Sequence, residues 1–313
     1  MANILVSGLI NIETSCPIKE FPIEYFPIDY PFGKVNSCIS GVGFNLITNL
    51  KQLGDNITFI SLLGDDLFGK LIISELESKN IPTKNIYKIL TATPQSVILF
   101  DSLGKREIYC DLKNYQEVSL DFSPIKKELE KADILIACNS NFNRPLLKLA
   151  THTNKKIATD IHVFSNINDE YNKDFLENAN ILFMSDEALK DRNIKDFVLE
   201  IHSRFNNEII VVGCGNKGAL LFEAENNEFT EIPVIYTRPV VATSGAGDTL
   251  FSSFIHFFAK GNNPKESLKL ASIAASYKIG EAGSSKGFLD ESGIFDYYGQ
   301  LFWNIFTLGY NCF

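Results

Sequence analysis

Residues 241–251 read Val-Ala-Thr-Ser-Gly-Ala-Gly-Asp-Thr-Leu-Phe, a run of small residues that leads straight into an apolar segment. This segment, residues 249–259, predicts a helix. Gly245 and Gly247 allow a ligand to approach the backbone closely at the helix start, where outward-pointing amides and the helix dipole favour an anion. Asp248 is a carboxylate at the same start, suited to taking a proton from an attacking hydroxyl. Phosphoryl transfer requires this combination of donors and a proton acceptor.

A plainer interpretation of these residues stays open at this point. Gly245-Ala246-Gly247 could be a tight turn, and Asp248 could only cap the helix. This stretch alone does not distinguish the two interpretations, so the choice depends on the rest of the chain.

Outside this stretch, short apolar runs alternate with helical patterns. The predicted strands cover residues 4–8, 57–63, 134–138, 156–161, 181–184 and 209–214. Apolar spacing predicts a helix over 45–53, and Asp66 and Asn263 are predicted N-caps of helices over 67–79 and 264–279. Continuous apolar strands separated by helices are typical of a parallel sheet covered on both faces. We therefore predict a doubly wound α/β fold, which binds ligands beyond the carboxyl ends of its strands.

Two regions interrupt this alternation. Residues 12–36 contain four prolines with aromatic residues between them, and residues 91–115 read as a β-hairpin with strands at 96–100 and 106–110. We expect both regions to belong to a small β appendage that projects from the α/β body. Because no repeat or linker marks a second full domain, residues 1–313 are predicted to form one domain that carries these two insertions.

The composition excludes several classes of protein. The 313 residues are 45% hydrophobic and 21% charged, close to the average for globular domains and unlike a disordered chain. The formal net charge is −9, so binding to a nucleic-acid backbone is not expected. No run reaches the roughly 18 apolar residues of a membrane span, and the N-terminus lacks the features of a signal peptide. The four histidines have no zinc-ligand spacing. We therefore expect a cytoplasmic protein with no nucleic-acid, membrane or protein-bound metal partner.

Five segments, taken in chain order, resemble the signatures of the ribokinase-like (PfkB) carbohydrate kinases. They are Ser40-Gly41-Val42-Gly43-Phe44-Asn45, Leu63-Gly64-Asp65-Asp66-Leu67-Phe68-Gly69, Gly215-Asn216-Lys217-Gly218-Ala219, Thr243-Ser244-Gly245-Ala246-Gly247-Asp248-Thr249 and Gly283-Ser284-Ser285. The resemblance spans about residues 1–290, and five motifs in the family's order are far more specific than one glycine motif. It implies a ribokinase-like three-layer α/β/α sandwich with a small β lid at residues 12–36 and 91–115.

The resemblance also implies roles for the matching residues. Asp248 matches the family's catalytic base, and the amides of Gly245, Ala246 and Gly247 match its anion hole. The positions that match the nucleotide side are Gly213, Gly215, Gly218, Ser244 and Gly283.

On the substrate side, Asn11 lies where the family has an Asn that holds sugar hydroxyls, and Glu13 stands for its Asp with one more methylene. Gly41 and Asn45 match further substrate positions, and Asp160 matches an acidic residue near the phosphates and the substrate. Asn139, at the end of a predicted strand, is placed within reach of the same ligand. The alternative for each polar residue is ordinary capping or solvation.

Positions on the nucleotide side depart from the family pattern. Ala242 precedes Thr243, at the position where the family's signature begins with an Asp. In the family this Asp helps to hold a monovalent cation, so its replacement puts activation by such a cation in doubt. Ser185 and Ala188 replace the Asn and the Glu of a motif that organises magnesium, with Asp186 and Glu187 between them. Magnesium could still arrive chelated to ATP, with few protein ligands.

The sequence thus predicts an ATP-dependent kinase that uses Mg²⁺ and phosphorylates a hydroxyl of a small sugar such as ribose or fructose. Two alternatives stay open. A nucleoside such as pseudouridine is one, because the position of Asn139 resembles that branch and the aromatic residues at 25, 26, 30 and 32 could stack a base. A non-catalytic sugar-binding or regulatory relative is the other, prompted by Ala242, Ser185 and Ala188. Because the family's lids often pair between subunits, a homodimer through the lid is also expected.

Overall fold

A large sheet with helices on both faces forms the body of the protein, and a smaller sheet accompanies it. The computed structural model describes residues 1–103, 105–190 and 192–308. In chain order the strands are β1 (Asn3–Ser7), β2 (Asn11–Pro17), β3 (Asn36–Ser40), β4 (Asn56–Gly64), β5 (Ile86–Leu90), β6 (Gln95–Phe100), β7 (Arg106–Asp111), β8 (Ile134–Ala137), β9 (Lys156–Val163), β10 (Ile181–Ser185), β11 (Ile209–Gly213), β12 (Ala219–Glu223) and β13 (Glu228–Ile232). The helices are α1 (Val42–Gln52), α2 (Leu67–Ser78), α3 (Lys126–Lys131), α4 (Arg144–His152), α5 (Lys173–Asn178), α6 (Ile194–Phe205), α7 (Ala246–Ala259), α8 (Pro264–Lys278) and α9 (Glu291–Leu308).

The large sheet has the strand order β13-β12-β11-β10-β9-β8-β1-β4-β5. Its strands from β5 to β11 in this order are parallel, as the apolar runs predict. The edge is the exception, since β12 pairs antiparallel with both β11 and β13. The amide of Cys214 donates to the carbonyl of Gly218 at 2.9 Å, which closes a tight turn after β11. Such a short connection can join only antiparallel neighbours, so the sheet is mixed rather than wholly parallel.

The two faces of the large sheet are covered by different helices. On β4, Phe59 and Leu63 belong to a buried cluster with α1, α2, α7 and α8, whereas Ile60 and Leu62 belong to a cluster with α3 to α6. Because both faces are buried, the central strands have no solvated side, and this is why they read as continuous apolar runs. The arrangement confirms the predicted three-layer α/β/α sandwich.

The second sheet has the order β3-β2-β6-β7. β6 and β7 form the predicted hairpin, with Phe100 opposite Arg106. β2 pairs with β3 and with β6, so it joins strands from the two predicted insertions into one sheet. This sheet is the small β lid. The insertion boundaries at 12–36 and 91–115, and a homodimer formed through the lid, stay predictions.

Helices α2 and α8 begin at the predicted caps. The Oδ1 atom of Asp66 accepts a hydrogen bond from the amide of Gly69 at 2.8 Å, and Oδ1 of Asn263 accepts one from the amide of Glu266 at 2.8 Å. Asp66 also accepts from the amide and the hydroxyl of Thr93, at 2.8 and 2.7 Å, which ties α2 to the segment before β6. Among the described residues, no helix combines the length and the apolar character that a membrane crossing needs.

We expect Asp66→Ala to lower the free energy of unfolding by about 1–2 kcal/mol, because it removes a helix cap and leaves two donors of Thr93 without their acceptor. Urea unfolding followed by circular dichroism measures the change. Asp65→Ala is the matched control, since Asp65 forms an exposed ion pair with Lys88 at 3.6 Å and such pairs contribute little. Equal losses in the two variants would contradict the prediction.

Candidate active site

The start of α7 has a backbone geometry that requires glycine. Gly245 has a φ of +78°, and a Cβ at this position would overlap the carbonyl oxygen of Ser284. Helix α7 begins at Ala246, three residues before the predicted start, so the helix-start amides lie within the glycine-rich stretch. The amide of Ala246 donates to the carbonyl of Thr243 at 3.2 Å and so has a backbone partner. The first amides of a helix lack intrahelical acceptors, which leaves donors such as Gly247 for a ligand.

Asp248 lies in the first turn of α7 and is held by a residue from α1. The side-chain amide of Asn45 donates to Oδ2 of Asp248 at 2.7 Å. The pKa of Asp248 is raised to about 6, mainly by burial of the carboxyl group. The charges of Asp160 and Glu13 also raise this pKa, whereas the hydrogen bond from Asn45 and the nearby His162 lower it. A carboxylate with a pKa near neutral is a stronger proton acceptor than an exposed one and is still ionised at neutral pH.

The side-chain oxygens of two predicted substrate residues are buried and have no hydrogen-bond partner in the described part of the chain. They are Oδ1 of Asn45, which lies next to Asp248, and Oδ1 of Asn11. Asn11 is anchored by its amide nitrogen, which donates to the hydroxyl of Ser96 on the lid at 2.6 Å. A buried acceptor without a partner costs about 1–3 kcal/mol, so acceptors of this kind mark a place where a ligand supplies donors. Hydroxyl groups are such donors.

Glu13 is connected to the loop after α8 through two serines. The hydroxyl of Ser40 donates to Oε2 of Glu13 at 2.9 Å and lies 2.8 Å from the hydroxyl of Ser284. Gly41 follows Ser40 with a φ of +102°, and a Cβ there would lie 2.7 Å from the carbonyl oxygen of Leu9. The lid residue Glu13 and the helix-start residue Gly245 are therefore attached to the same segment, around Ser284.

A cavity of about 430 Å³ opens beside the start of α7. Among the predicted site residues, those that line it are Asp160, Gly213, Gly215, Gly218, Ala246 and Gly247. Small residues of α8 also line it, including Ser272 and Ala275. A cavity lined by a helix start and by glycines fits a phosphate-bearing ligand.

The other predicted site residues do not line this cavity. They are Asn11, Glu13, Gly41, Asn45, Asn139, Ser244, Gly245, Asp248 and Gly283. The carbonyl of Gly283 accepts a hydrogen bond from Lys278 at 2.5 Å. The side-chain amide of Asn139 donates to Asn172 at 3.1 Å. Their assigned roles in binding stay predictions.

The cavity also includes charged residues that the sequence did not assign to it. Arg106 reaches it from β7, and His162 lies beside Asp160, with Nδ1 at 3.5 Å from Oδ2. Glu187 lines the cavity too, at a turn where its amide donates to the hydroxyl of Ser185 at 3.3 Å. A carboxylate thus reaches the cavity from the position next to Ala188, which the motif comparison alone does not reveal.

Within the described residues, no group of three or more His, Cys, Asp or Glu side chains is arranged to hold a metal ion. Single carboxylates at the cavity, such as Glu187, fit magnesium in the form in which it usually binds phosphates, with one or two protein carboxylates and several waters. The donor set therefore suits magnesium that arrives with a nucleotide.

A cavity beside a helix start, a carboxylate with a raised pKa and unpartnered acceptors are features that a small-molecule phosphotransferase needs. The comparison with protein families agrees, because residues 1–291 match the pfkB family of carbohydrate kinases. The chain belongs to this family and is a sugar kinase with a ribokinase-like fold. Kinases of this family use ATP.

Similar proteins cover nearly the whole chain. The ribokinase of Dictyostelium discoideum is 27% identical over 316 residues, which cover 91% of this chain and 97% of that protein. The solved structure of a microbiome-derived acarbose kinase, Mak1, has a TM-score of 0.84 at 23% identity and covers 94% of this chain and 98% of its own. Ribokinase from Giardia lamblia has a TM-score of 0.83 at 18% identity, with 96% and 99% covered. At these identities the two structures support the fold, and the relatives are named for different substrates.

We expect Gly245→Ala to lower the free energy of unfolding by at least about 2 kcal/mol, because the new methyl group meets the carbonyl of Ser284 at a positive φ. Gly247→Ala is the matched control, since a Cβ at Gly247 meets no atom within 4 Å and alanine favours the helix by about 1 kcal/mol. Thermal unfolding of both variants separates them. Equal melting temperatures would contradict the packing of Gly245 against Ser284.

Proposed function

We propose that the protein transfers the γ-phosphate of ATP to a hydroxyl of a small sugar of the ribose or fructose type, with Asp248 as the general base. The observation that carries this proposal is the 2.7 Å hydrogen bond between Asn45 and Asp248 at the start of α7. It holds a carboxylate with a raised pKa next to both the phosphate cradle and the unpartnered oxygen of Asn45.

The proposed step forms one bond and breaks one. The substrate hydroxyl loses its proton to Asp248, its oxygen attacks the γ-phosphorus in line, and the bond to the β,γ-bridging oxygen breaks, with ADP as the leaving group. Charge that develops on the transferred group is stabilised by helix-start amides, with Gly245 and Gly247 as the donors. The lid excludes water that would otherwise accept the phosphoryl group.

ATP is assigned to the cavity lined by Gly213, Gly215 and Gly218, and Mg²⁺ is assigned to its phosphates. Glu187 is the cavity carboxylate suited to the magnesium or its waters. When bound, magnesium neutralises phosphate charge and orients the nucleotide. Arg106 and His162 line the same cavity and supply positive charge or donors near the phosphates.

A sugar is favoured over a nucleoside by the surroundings of the base. Asn11 and Asn45 offer unpartnered oxygens, and Glu13 offers a carboxylate on the same side, all of which suit hydroxyl groups. The aromatic residues that could stack a nucleobase lie in the loop between β2 and β3, where Tyr25 is 87% and Phe32 is 84% exposed. Tyr30 and Phe32 stack on each other with ring centroids 5.6 Å apart. A nucleoside is therefore the second candidate, and it requires this loop to close over the site.

The first experiment measures ADP release with magnesium and ATP over a panel of pentoses, hexoses, sugar phosphates and nucleosides. We expect turnover with one sugar class, and we expect Asp248→Asn to lower kcat by about 10²–10⁴-fold, because the amide cannot accept the proton. Asp65→Asn makes the same chemical change at an exposed carboxylate outside the site and is expected to keep the wild-type rate.

The outcomes separate the proposals. Turnover only with nucleosides would replace the sugar by the second candidate. Thermal stabilisation by a sugar without any ADP release would contradict the kinase reaction and favour the binding or regulatory relative. A rate unchanged by Asp248→Asn would remove Asp248 as the base.

The pH profile gives an independent prediction. Below about pH 6, Asp248 carries its own proton and cannot take one from the substrate, so we expect kcat/KM to fall about tenfold for each further unit of acidity. Because the hydrogen bond from Asn45 lowers the pKa of Asp248, Asn45→Leu should move the midpoint to higher pH, in addition to weakening binding. Initial rates over a range of buffers measure both midpoints. A midpoint that does not move in Asn45→Leu would contradict the assignment of the profile to Asp248.

A further inference from the structure

A lysine with no exposed surface lies behind the start of α7. Lys278 is the last residue of α8 and is fully buried. Its ammonium group donates to the carbonyl of Gly283 at 2.5 Å and to the carbonyl of Glu281 at 3.4 Å. Lysine is almost never fully buried unless it is paired, and here its partners are backbone carbonyls of one short loop. Its place at the end of a helix adds favourable interaction with the helix dipole.

The charged groups that face Lys278 come from several elements. Glu281, Asp248 and Glu13 favour its positive charge, whereas burial and the neighbouring Arg238 oppose it, and the net effect lowers the pKa of Lys278. Arg238 binds the residue before Lys278. Its Nε donates to the carbonyl of Tyr277 at 2.6 Å, and its guanidinium lies 3.7 Å from the centre of the Tyr277 ring. Lys278 is thus a buried cation that binds two carbonyls of one loop and whose charge is favoured by acidic groups of the proposed site.

The loop that Lys278 holds, residues 280–285, contacts both halves of the site. The carbonyl of Ser284 packs against Gly245, and its hydroxyl lies 2.8 Å from Ser40, which in turn binds Glu13. The hydroxyl of Ser285 donates to the carbonyl of Ile39 on β3 at 3.2 Å. A displacement of this loop would therefore move the helix-start amides and the lid acid together.

The segment before the glycine-rich stretch is hydrogen-bonded to the end of α8. The amides of Val241 and Ala242 both donate to the carbonyl of Ile279, at 2.8 and 3.0 Å. Ile279 directly follows Lys278. The segment that precedes Gly245 and the loop that contacts Gly245 therefore both meet the end of α8, where Lys278 is buried.

We propose that the ammonium group of Lys278 is a built-in cation that positions residues 280–285, and with them Gly245 and Glu13, so that the enzyme needs no dissolved monovalent cation for this purpose. The inference rests on the proposed function for its consequence in catalysis. Lys278 acts as a positioning residue, since its contacts are to the loop and not to substrate. The carbonyls of Glu281 and Gly283 are the ligands that an alkali or ammonium ion would otherwise use.

Removal of the ammonium group should create a site for a free cation. Lys278→Met keeps most of the side-chain volume and removes the charge, which leaves the buried carbonyls without their donor. Ammonium and potassium ions are single positive charges that can bind carbonyl oxygens, whereas tetramethylammonium offers no donor and is too large for the space. Restoration by the first two ions and not by the third distinguishes a positioning cation from a merely structural residue.

The experiment measures ADP release with the best panel substrate, in about 100 mM potassium, ammonium or tetramethylammonium chloride, at equal ionic strength so that screening is constant. We expect equal wild-type rates in the three salts. For Lys278→Met in tetramethylammonium, we expect kcat to fall about tenfold to hundredfold, because small displacements of reacting groups lower rates by such factors. In potassium or ammonium we expect kcat of this variant to recover by at least about fivefold. Lys269→Met, on the same helix with an ion pair to Glu266 at 3.3 Å, is the matched control and should keep wild-type rates in all three salts.

A second measurement does not depend on turnover. Hydrogen exchange of residues 280–285 should be faster in Lys278→Met than in the wild type and should slow when potassium or ammonium is added. Lys269→Met should show no change in this loop. If no panel member is phosphorylated by the wild type, the proposed function fails while the exchange data still test the role of Lys278.

Three results would overturn the inference. They are a wild-type enzyme that requires potassium, a Lys278→Met variant with wild-type rates and exchange, and an impaired Lys278→Met variant that neither ion restores. If Lys278→Met does not fold, Lys278→Arg keeps the charge and should remain independent of the salt. A potassium requirement in Lys278→Arg, with the wild type independent of potassium, would also count against a built-in cation.

Discussion

The start of α7 packs against the loop that follows α8, and the geometry of the whole site depends on this contact. Gly245 has a positive φ and no space for a side chain beside the carbonyl of Ser284. The close approach places Ala246 and Gly247 at the wall of the cavity, and amides at a helix start favour an anion. The same Ser284 reaches Ser40 on the lid sheet. One loop therefore contacts both the proposed phosphate side and the proposed substrate side of the site.

The charged and polar groups near this contact lower the stability of the fold and are suited to proton transfer. Asp248 is partly buried near two further acidic residues, Asp160 and Glu13, so its ionised form is disfavoured and its pKa rises. The amide of Asn45 offsets part of this effect and leaves its own oxygen without a partner within the described residues. Such unsatisfied groups are rare in protein interiors and are typical of sites that a ligand completes. The free energy that these unsatisfied groups cost is offset by the apolar residues that are buried on both faces of the large sheet.

Much of the architecture could be predicted because its signals are local. Central strands buried on both faces appear as continuous apolar runs, and Asp66 and Asn263 mark helix starts through hydrogen bonds that span three residues. Other features depend on residues far apart in the chain. Asp55 and His256 form a buried pair at 2.7 Å across 201 positions, and Lys278 is buried by contacts that no periodic pattern encodes. The antiparallel pairing of β12 with β11 depends on the tight turn between them. The glycines at 215 and 218 indicate a turn but do not specify the direction of the next strand.

The sequence by itself determined the class of fold, the order of the motifs and the residue types at the helix start, because apolar periodicity, caps and glycines act over a few positions. Only the tertiary structure decided which groups meet. It gave Asn139 a partner in Asn172, engaged the amide of Ala246 with Thr243 and brought Glu187 to the cavity. It also buried Lys278 at the end of α8. The physical reason is that hydrogen-bond partners and the solvent exposure of a charge are properties of packed elements, which sequence spacing alone does not specify.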